Sequence, residues 1–135
     1  MYNLFMNDTV FGKIIRGEIP VTKVYEDKKC LAFFDANPVT KGHTLLLPKD
    51  HYVWMDETPD ELLSYMFLKA KTLMKAMKGS LSCDYVQVVV EGISVPHFHI
   101  HLIPSMAGND NNTWKHTKYE EGEAMVIAQK ISSAL

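Results

Sequence analysis

Three histidines stand at alternate positions in the segment 95-VPHFHIHLIP-104. The segment is rich in β-prone residues, which predicts a strand over residues 96–104. Because strand side chains alternate between faces, His97, His99 and His101 would share one face, about 6.7 Å apart at the backbone. The opposite face would carry the apolar side chains Phe98, Ile100 and Leu102 toward the core.

Histidines at this spacing affect one another's titration. Two imidazolium charges about 6.7 Å apart repel by about 2.5 kcal/mol at an effective dielectric constant near 20. His99 has an imidazole on each side, so we expect it to be pushed toward the neutral form. Neutral imidazole is a nucleophile, and a flanking imidazole that keeps its proton could stabilise an oxyanion or protonate a leaving group. The spacing therefore suggests covalent catalysis by His99.

Two other interpretations of the histidines stay open. His-x-His pairs bind zinc, and a catalytic zinc can use three histidines and water, with His43 as an extra ligand. Against a metal, residues 97–101 contain no Asp, Glu or Cys, and the chain has no HExxH motif. An exposed strand face that merely happens to hold histidines is the structural alternative. Because the segment lacks these additional ligands and the HExxH motif, we predict no metal and no cofactor.

The elements around the histidines predict an antiparallel α+β sheet of about five strands. A helix over residues 9–16 has an apolar face, can be capped by Asp8 or Thr9 and ends at Gly17. A longer helix is predicted from a capping box at Thr58–Glu61, with proline at its first position, to Gly79. Its buried stripe would be Leu63, Met66, Ala70, Leu73 and Met77. The remaining predicted elements are strands over 21–26, 30–34, 43–48 and 84–90, a loop over 105–118, and a helix in the tail from Tyr119.

Composition limits the partners of the protein. The chain has 135 residues, of which 47% are hydrophobic and 22% charged, and its net charge is −2. These values predict one domain over residues 1–135, with neither nucleic acid nor a membrane as partner. The first 13 residues have no features of a secretory signal, and the two cysteines are far apart in the sequence. A reduced, cytoplasmic location is the expectation.

Several segments together resemble one known family. The run 97-HFHIHLI-103 is similar to the signature of the histidine triad (HIT) superfamily. The segments 9-TVFGKIIRGEIP-20, 31-LAFFDANP-38 and 42-GHTLLLPKDH-51 resemble other conserved blocks of that family, in the same order. The likeness covers most of the chain and is closest to the Hint-like nucleotide hydrolases. It implies the HIT fold and a two-fold homodimer.

The resemblance also implies roles for individual residues. By position in the motif, His99 matches the nucleophile, His101 the contact to phosphate oxygens, and His97 the residue that orients the site together with His43. Ser94 matches a serine that hydrogen-bonds the phosphate or leaving group, and Asp35 matches the carboxylate that binds the ribose hydroxyls. The implied apolar slot for the base is formed by Val10, Phe11, Ile14, Ile19 and Phe33.

The chain departs from the family pattern in three places. Many relatives have an asparagine on the fourth strand that contacts phosphate, whereas this strand ends Val88-Val89-Val90-Glu91, with valine in place of the amide. The connection 91-EGISV-95 is also shorter than in the animal Hint type. Thr9 and Gly12 stand where some relatives have a zinc-binding Cys-x-x-Cys, so no structural zinc is expected. His101 stands where the transferase branch has glutamine, which points to water as the acceptor.

The expected function is that of a nucleotide hydrolase or nucleoside phosphoramidase. It would cleave at the α-phosphate of a purine nucleotide, an AMP conjugate, through a covalent nucleotidyl-histidine. An apolar slot discriminates weakly, so it does not rank adenosine against guanosine. Two alternatives are a nucleotide-binding or scaffold protein with little turnover, and a zinc-dependent hydrolase that uses the histidine cluster.

Overall fold

The computed structural model describes residues 9–108 and 115–135, and its elements follow the predicted order. A 3-10 turn over Met55–Glu57 precedes the long helix. Within the described ranges, no helix is both long and apolar enough to cross a membrane. The elements are α1 (Val10–Ile15), β1 (Lys23–Glu26), β2 (Cys30–Phe34), β3 (Thr44–Pro48), α2 (Asp60–Leu81), β4 (Tyr85–Val89), β5 (Ile100–Ser105) and α3 (Glu123–Ser133).

The five strands form one antiparallel sheet in the order β1-β2-β3-β5-β4, which confirms the predicted fold class. The three central strands are buried at every position, because both faces of the sheet are covered. Helices α2 and α3 pack on one face. The short helix α1 packs on the other face, where Phe11 and Ile14 meet Leu31, Phe33, Leu45 and Leu47. We call this second side the histidine face, because the rings of His99 and His101 lie there beside Phe11 and His43.

The core between the sheet and α2 matches the predicted apolar patterns. Phe98, Ile100 and Leu102 are buried in it, as expected for the strand face opposite the histidines. From α2, the buried side chains include Met66, Ala70, Leu73 and Met77, with Leu63 partly buried. Met66 is therefore a core residue and adds nothing to an exposed apolar surface, whereas its neighbours Phe67 and Leu68 are exposed.

Both predicted ends of α2 are wrong by one to three residues. Thr58 does not cap the helix, because its hydroxyl donates to the carbonyl of Trp54; Pro59 takes the N-cap position and the helix begins at Asp60. The helix also runs past Gly79 to Leu81, and the chain reverses at Ser82, which has φ 55°. For α1, the expected cap is confirmed, since Thr9 Oγ1 accepts from Gly12 N–H; Asp8 lies outside the described residues.

The histidine strand begins later than predicted. Regular pairing of β5 starts at Ile100, and residues 95–99 leave the sheet. The amide of His97 bonds to the carbonyl of Val95, and that of Phe98 bonds to the carbonyl of Tyr52 instead of a sheet neighbour. Pro48 ends β3 opposite this segment and has no N–H to continue the ladder. Only His101 therefore lies within the regular strand, which extends at its other end through Ser105, a residue predicted to be loop.

Candidate active site

The hydrogen bond of His99 fixes which ring nitrogen is free. Its Nδ1 lies 2.7 Å from the backbone carbonyl of His97. A carbonyl can only accept, so Nδ1 carries the proton, and in the neutral ring the lone pair is left on Nε2. The residue is 1% exposed, and Phe11 packs edge-on against the ring. His99 is thus held in an orientation that leaves Nε2 as the nitrogen with the lone pair when the ring is neutral.

A chain of hydrogen bonds sets the opposite tautomer at His101. The amide of Val39 donates to His43 Nδ1 at 3.0 Å, so the proton of neutral His43 is on Nε2. His43 Nε2 lies 2.9 Å from His101 Nδ1 and donates to it. Neutral His101 then carries its own proton on Nε2. Since the rings of His99 and His101 are 4.9 Å apart, an N–H donor stands beside the nucleophile.

His97 supports the site from the side away from His43. Its Nε2 donates to the carbonyl of Pro48 at 2.7 Å, and its own carbonyl accepts from His99. Its ring lies 5.1 Å from that of His51, whose Nε2 is 2.9 Å from the carbonyl of Pro96. His43 contacts His101 and not His97, so the two residues expected to orient the site together act on different histidines.

Burial, more than repulsion, keeps these imidazoles neutral. Desolvation is the main cause that lowers the pKa of His99, and the carboxylates of Glu91 and Asp35 oppose it. Desolvation also lowers the pKa of His43, His97 and His101 to about 4, with a smaller contribution from neighbouring imidazoles. The pKa of His99 is lowered, as predicted, but the main cause is burial and not the predicted repulsion between imidazoles. The prediction of a flanking imidazole that stays charged is wrong, and the flanking residues offer neutral N–H donors instead.

The residues predicted to bind the nucleoside fall into two groups. Asp35 directly follows β2; its Oδ1 accepts from Asn37 N–H at 2.9 Å, and its Oδ2 lies 3.8 Å from His43 Nε2. Four of the five apolar residues come together on the histidine face, namely Phe11, Ile14, Ile19 and Phe33. Val10 is 44% exposed, because the buried side of α1 is centred on Phe11 and Ile14.

Sequence reasoning missed Glu91. Its Oε1 lies 3.7 Å from His99 Nε2 and accepts a hydrogen bond of 2.9 Å from Ser94 Oγ, so the predicted phosphate ligand Ser94 is engaged by this carboxylate. The contact of Glu91 with His99 could have been predicted by extending the register in which β4 pairs with β5. Val89 pairs with His101, so two residues further along Glu91 comes opposite His99. An acidic residue that ends an apolar strand was the available signal.

Two further sets of side chains surround the site. A cavity of about 270 Å³ next to His97 is lined by Gly12, Ile15, Arg16, Lys49, Asp50 and His51. On the other side, Tyr119 stacks on Phe34 and its hydroxyl accepts from Gly42 N–H. The segment that follows residue 114 therefore packs against the loop that carries Asp35 and His43, a placement that the sequence did not predict.

Among residues 9–108 and 115–135, two groups of side chains have the geometry to hold a metal ion. They are Asp35, His43 and His101, and Glu91, His99 and His101; in each, one ligand atom per residue lies within 4.8 Å of the others. Both groups need His101, so only one can be filled. An ion in the second group would take the lone pair of His99 and remove the nucleophile.

Comparisons with known proteins agree with this geometry. The HIT domain family matches residues 16–108. Adenylylsulfatase HINT3 of Arabidopsis thaliana is 41% identical over 103 residues, which are 73% of this chain and 52% of that protein. Adenosine 5'-monophosphoramidase HNT1 of Saccharomyces cerevisiae is 40% identical over 100 residues, 70% of this chain and 61% of that protein. The chain thus spans little more than half the length of these two relatives.

Among solved structures, a Hit-like protein of Bartonella henselae superposes with a TM-score of 0.87 at 32% identity. The superposition covers 100% of this chain and 99% of that one. The sheet, the buried histidine cluster and the family match all lead to one assignment: the chain belongs to the HIT domain family.

Proposed function

We propose that this protein hydrolyses adenylyl conjugates, and nucleoside 5′-phosphoramidates in particular, through a covalent nucleotidyl intermediate on His99. The observation that carries the proposal is the Nδ1–H bond of His99 to the carbonyl of His97, which leaves the Nε2 lone pair free. The names of the relatives HINT3 and HNT1, an adenylylsulfatase and an adenosine 5'-monophosphoramidase, support the adenylyl part of the substrate.

In the first step, His99 Nε2 attacks the α-phosphorus and the bond to the leaving group breaks. The ring becomes cationic as it forms the bond, and the carbonyl of His97 stabilises that charge through the Nδ1–H it already accepts. His101 donates its Nε2–H to a phosphate oxygen. Because this donor is neutral and preset by His43, it needs no reorganisation as negative charge develops.

In the second step, water attacks the phosphorus of the intermediate and the bond to Nε2 breaks. AMP leaves, His99 recovers its lone pair, and one proton from the water passes to solvent. In the same proposal, Asp35 binds the ribose hydroxyls, and the base lies against Phe11, Ile14, Ile19 and Phe33. Val10, although exposed, stands at the edge of that apolar surface.

Release of AMP from adenosine 5′-phosphoramidate tests the proposal. We expect turnover by the wild type, and an AMP-sized mass on His99 in intact-protein mass spectrometry after brief mixing. His99→Ala and His99→Gly should abolish turnover. Thermal unfolding and AMP binding of both variants should establish that they are folded. Substantial turnover by a folded His99 variant would refute the nucleophilic role.

Two other functions predict different results in the same assay. A nucleotide-binding or scaffold protein would bind AMP and release none from any conjugate. A metal-dependent hydrolase that uses Asp35, His43 and His101 would lose activity with a chelator and regain it with Zn²⁺. The covalent mechanism predicts full activity in the chelator.

We also propose that two copies form the homodimer implied by the family resemblance. The support is apolar surface: α2 exposes Phe67 and Leu68, and the edge strand β4 exposes Tyr85 and Val88. Sedimentation at micromolar concentration should give twice the chain mass. A monomer under those conditions would contradict the dimer and leave the chemistry above unaffected.

A further inference from the structure

Glu91 places a carboxylate beside the attacking atom. Its Oε1 is 3.7 Å from His99 Nε2, and Ser94 Oγ donates to the same oxygen. The next residue, Gly92, packs against the indole of Trp54 so closely that a Cβ would stand 2.3 Å from a ring carbon. Three features hold the Glu91 carboxylate beside His99 Nε2. They are the register that continues from β4, the hydrogen bond from Ser94 and the contact of Gly92 with Trp54.

We propose that Glu91 selects the leaving group: it favours substrates that release an amine and disfavours substrates that release an anion such as sulfate. This inference rests on the proposed function and specifies its substrate class. A phosphorus poised for attack stands about 3–3.5 Å from Nε2, so the phosphoryl group and the atoms bonded to it lie in the field of the carboxylate. Repulsion of the phosphate oxygens is common to all adenylyl substrates, whereas the charge of the leaving group differs between them.

The chemistry of a phosphoramidate suits this field. Its leaving nitrogen can bind a proton from solvent, and the opposite charge of Glu91 stabilises the resulting P–NH3⁺ group. His99 Nε2 then uses its lone pair to form the bond to phosphorus. The P–N bond breaks, and its electron pair leaves with neutral ammonia, so the departing group needs no proton from the enzyme.

In an adenylyl sulfate, the leaving group gains negative charge as the reaction proceeds. When its P–O bond breaks, the electron pair leaves with sulfate, and negative charge grows on a group already near Glu91. A carboxylate also weakens the binding of any phosphate, so a compensating positive group is needed at this position. The protonated amine supplies this positive charge in phosphoramidates, whereas adenylyl sulfates have no such group.

The test is the ratio of kcat/KM for adenosine 5′-phosphoramidate to that for adenosine 5′-phosphosulfate, measured as AMP release in the presence of EDTA. Glu91→Gln keeps the shape and can still accept from Ser94, but removes the charge. We expect it to lower the ratio about thirtyfold, by slowing the phosphoramidate and accelerating the sulfate. The matched control Glu121→Gln makes the same charge change at an exposed position and should leave the ratio within about twofold.

The outcomes separate this inference from the proposed function. If the wild type releases AMP from neither substrate, the proposed function fails and the inference with it. If the wild type is active but Glu91→Gln keeps the ratio within about twofold, the inference alone is overturned. An equal loss on both substrates would make Glu91 a structural residue and also overturns it. A change in the ratio that appears only when EDTA is replaced by Zn²⁺ would also overturn the inference, because Glu91 would then act as a metal ligand.

Discussion

The buried histidines should make the folded protein sensitive to mild acid. Burial lowers the pKa of His43, His97 and His101 from the ordinary value of 6.5 to about 4. Between these two values the unfolded chain binds protons that the folded chain does not. The free energy of unfolding therefore falls as the pH is lowered through 6.5 toward 4, and it is restored above 6.5.

The size of the effect follows from the two pKa values. Each of the three groups loses about 2 kcal/mol of stabilisation between pH 7 and pH 5, so together they lose about 5–6 kcal/mol. His99, whose pKa is also lowered, adds to this loss. A domain is typically stable by about 5–15 kcal/mol, so about 5–6 kcal/mol is a large part of the total.

Urea unfolding at several pH values between 7.5 and 5 measures the effect. His97→Gln removes one of the four titrating groups and retains an N–H that can donate to Pro48, so the slope against pH should fall by about a quarter to a third. The matched control is Ile103→Val in β5, the strand that follows His97. It should lower the free energy of unfolding by about 0.5–1.5 kcal/mol at every pH and leave the slope unchanged.

A free energy of unfolding that stays constant within about 1 kcal/mol from pH 7.5 to 5 would refute this reasoning. It would mean that the cluster takes up protons in the folded state. The assignment of neutral tautomers along His43 and His101, and with it the neutral N–H donor beside His99, would then have to be abandoned.

Three further predictions concern the same site. His43→Phe should destabilise the fold by about 2–4 kcal/mol, since it leaves the amide of Val39 and Nδ1 of His101 buried without their present partner; it should also slow AMP release, and His43→Gln, which can donate again, should recover part of both losses. With adenosine 5′-phosphosulfate, whose leaving group takes up no proton, the plateau of kcat/KM should extend below pH 6.5, because the pKa of His99 is lowered; an acid limb at or above 6.5 would contradict the burial of this ring. Gly92→Ala should reduce AMP release from adenosine 5′-phosphoramidate about tenfold, because the new Cβ would push the Glu91 segment off Trp54 and its carboxylate away from the leaving nitrogen; normal activity would show that the segment moves freely.

Local patterns in the sequence were enough to predict the order of the elements. Alternation placed Phe98, Ile100 and Leu102 in the core, and helical spacing placed Met66, Leu73 and Met77 there. The incorrectly predicted ends of α2 also have causes close by in the sequence. The capping box failed because Thr58 bonds to Trp54, and Gly79 failed as a stop because the chain reverses only at Ser82.

The properties of the site were decided by the tertiary structure. The low pKa values depend on desolvation by α1 and the neighbouring strands, which spacing along one strand cannot reveal. The tautomer of His101 depends on His43 and an amide of the β2–β3 loop, and the carboxylate beside His99 Nε2 comes from the connection between β4 and β5. The sequence by itself determined that the histidines could share one site. The folded backbone decided which ring nitrogen of His99 and of His101 carries the proton and which carboxylate lies beside them, because protonation and orientation depend on partners that only folding brings into contact.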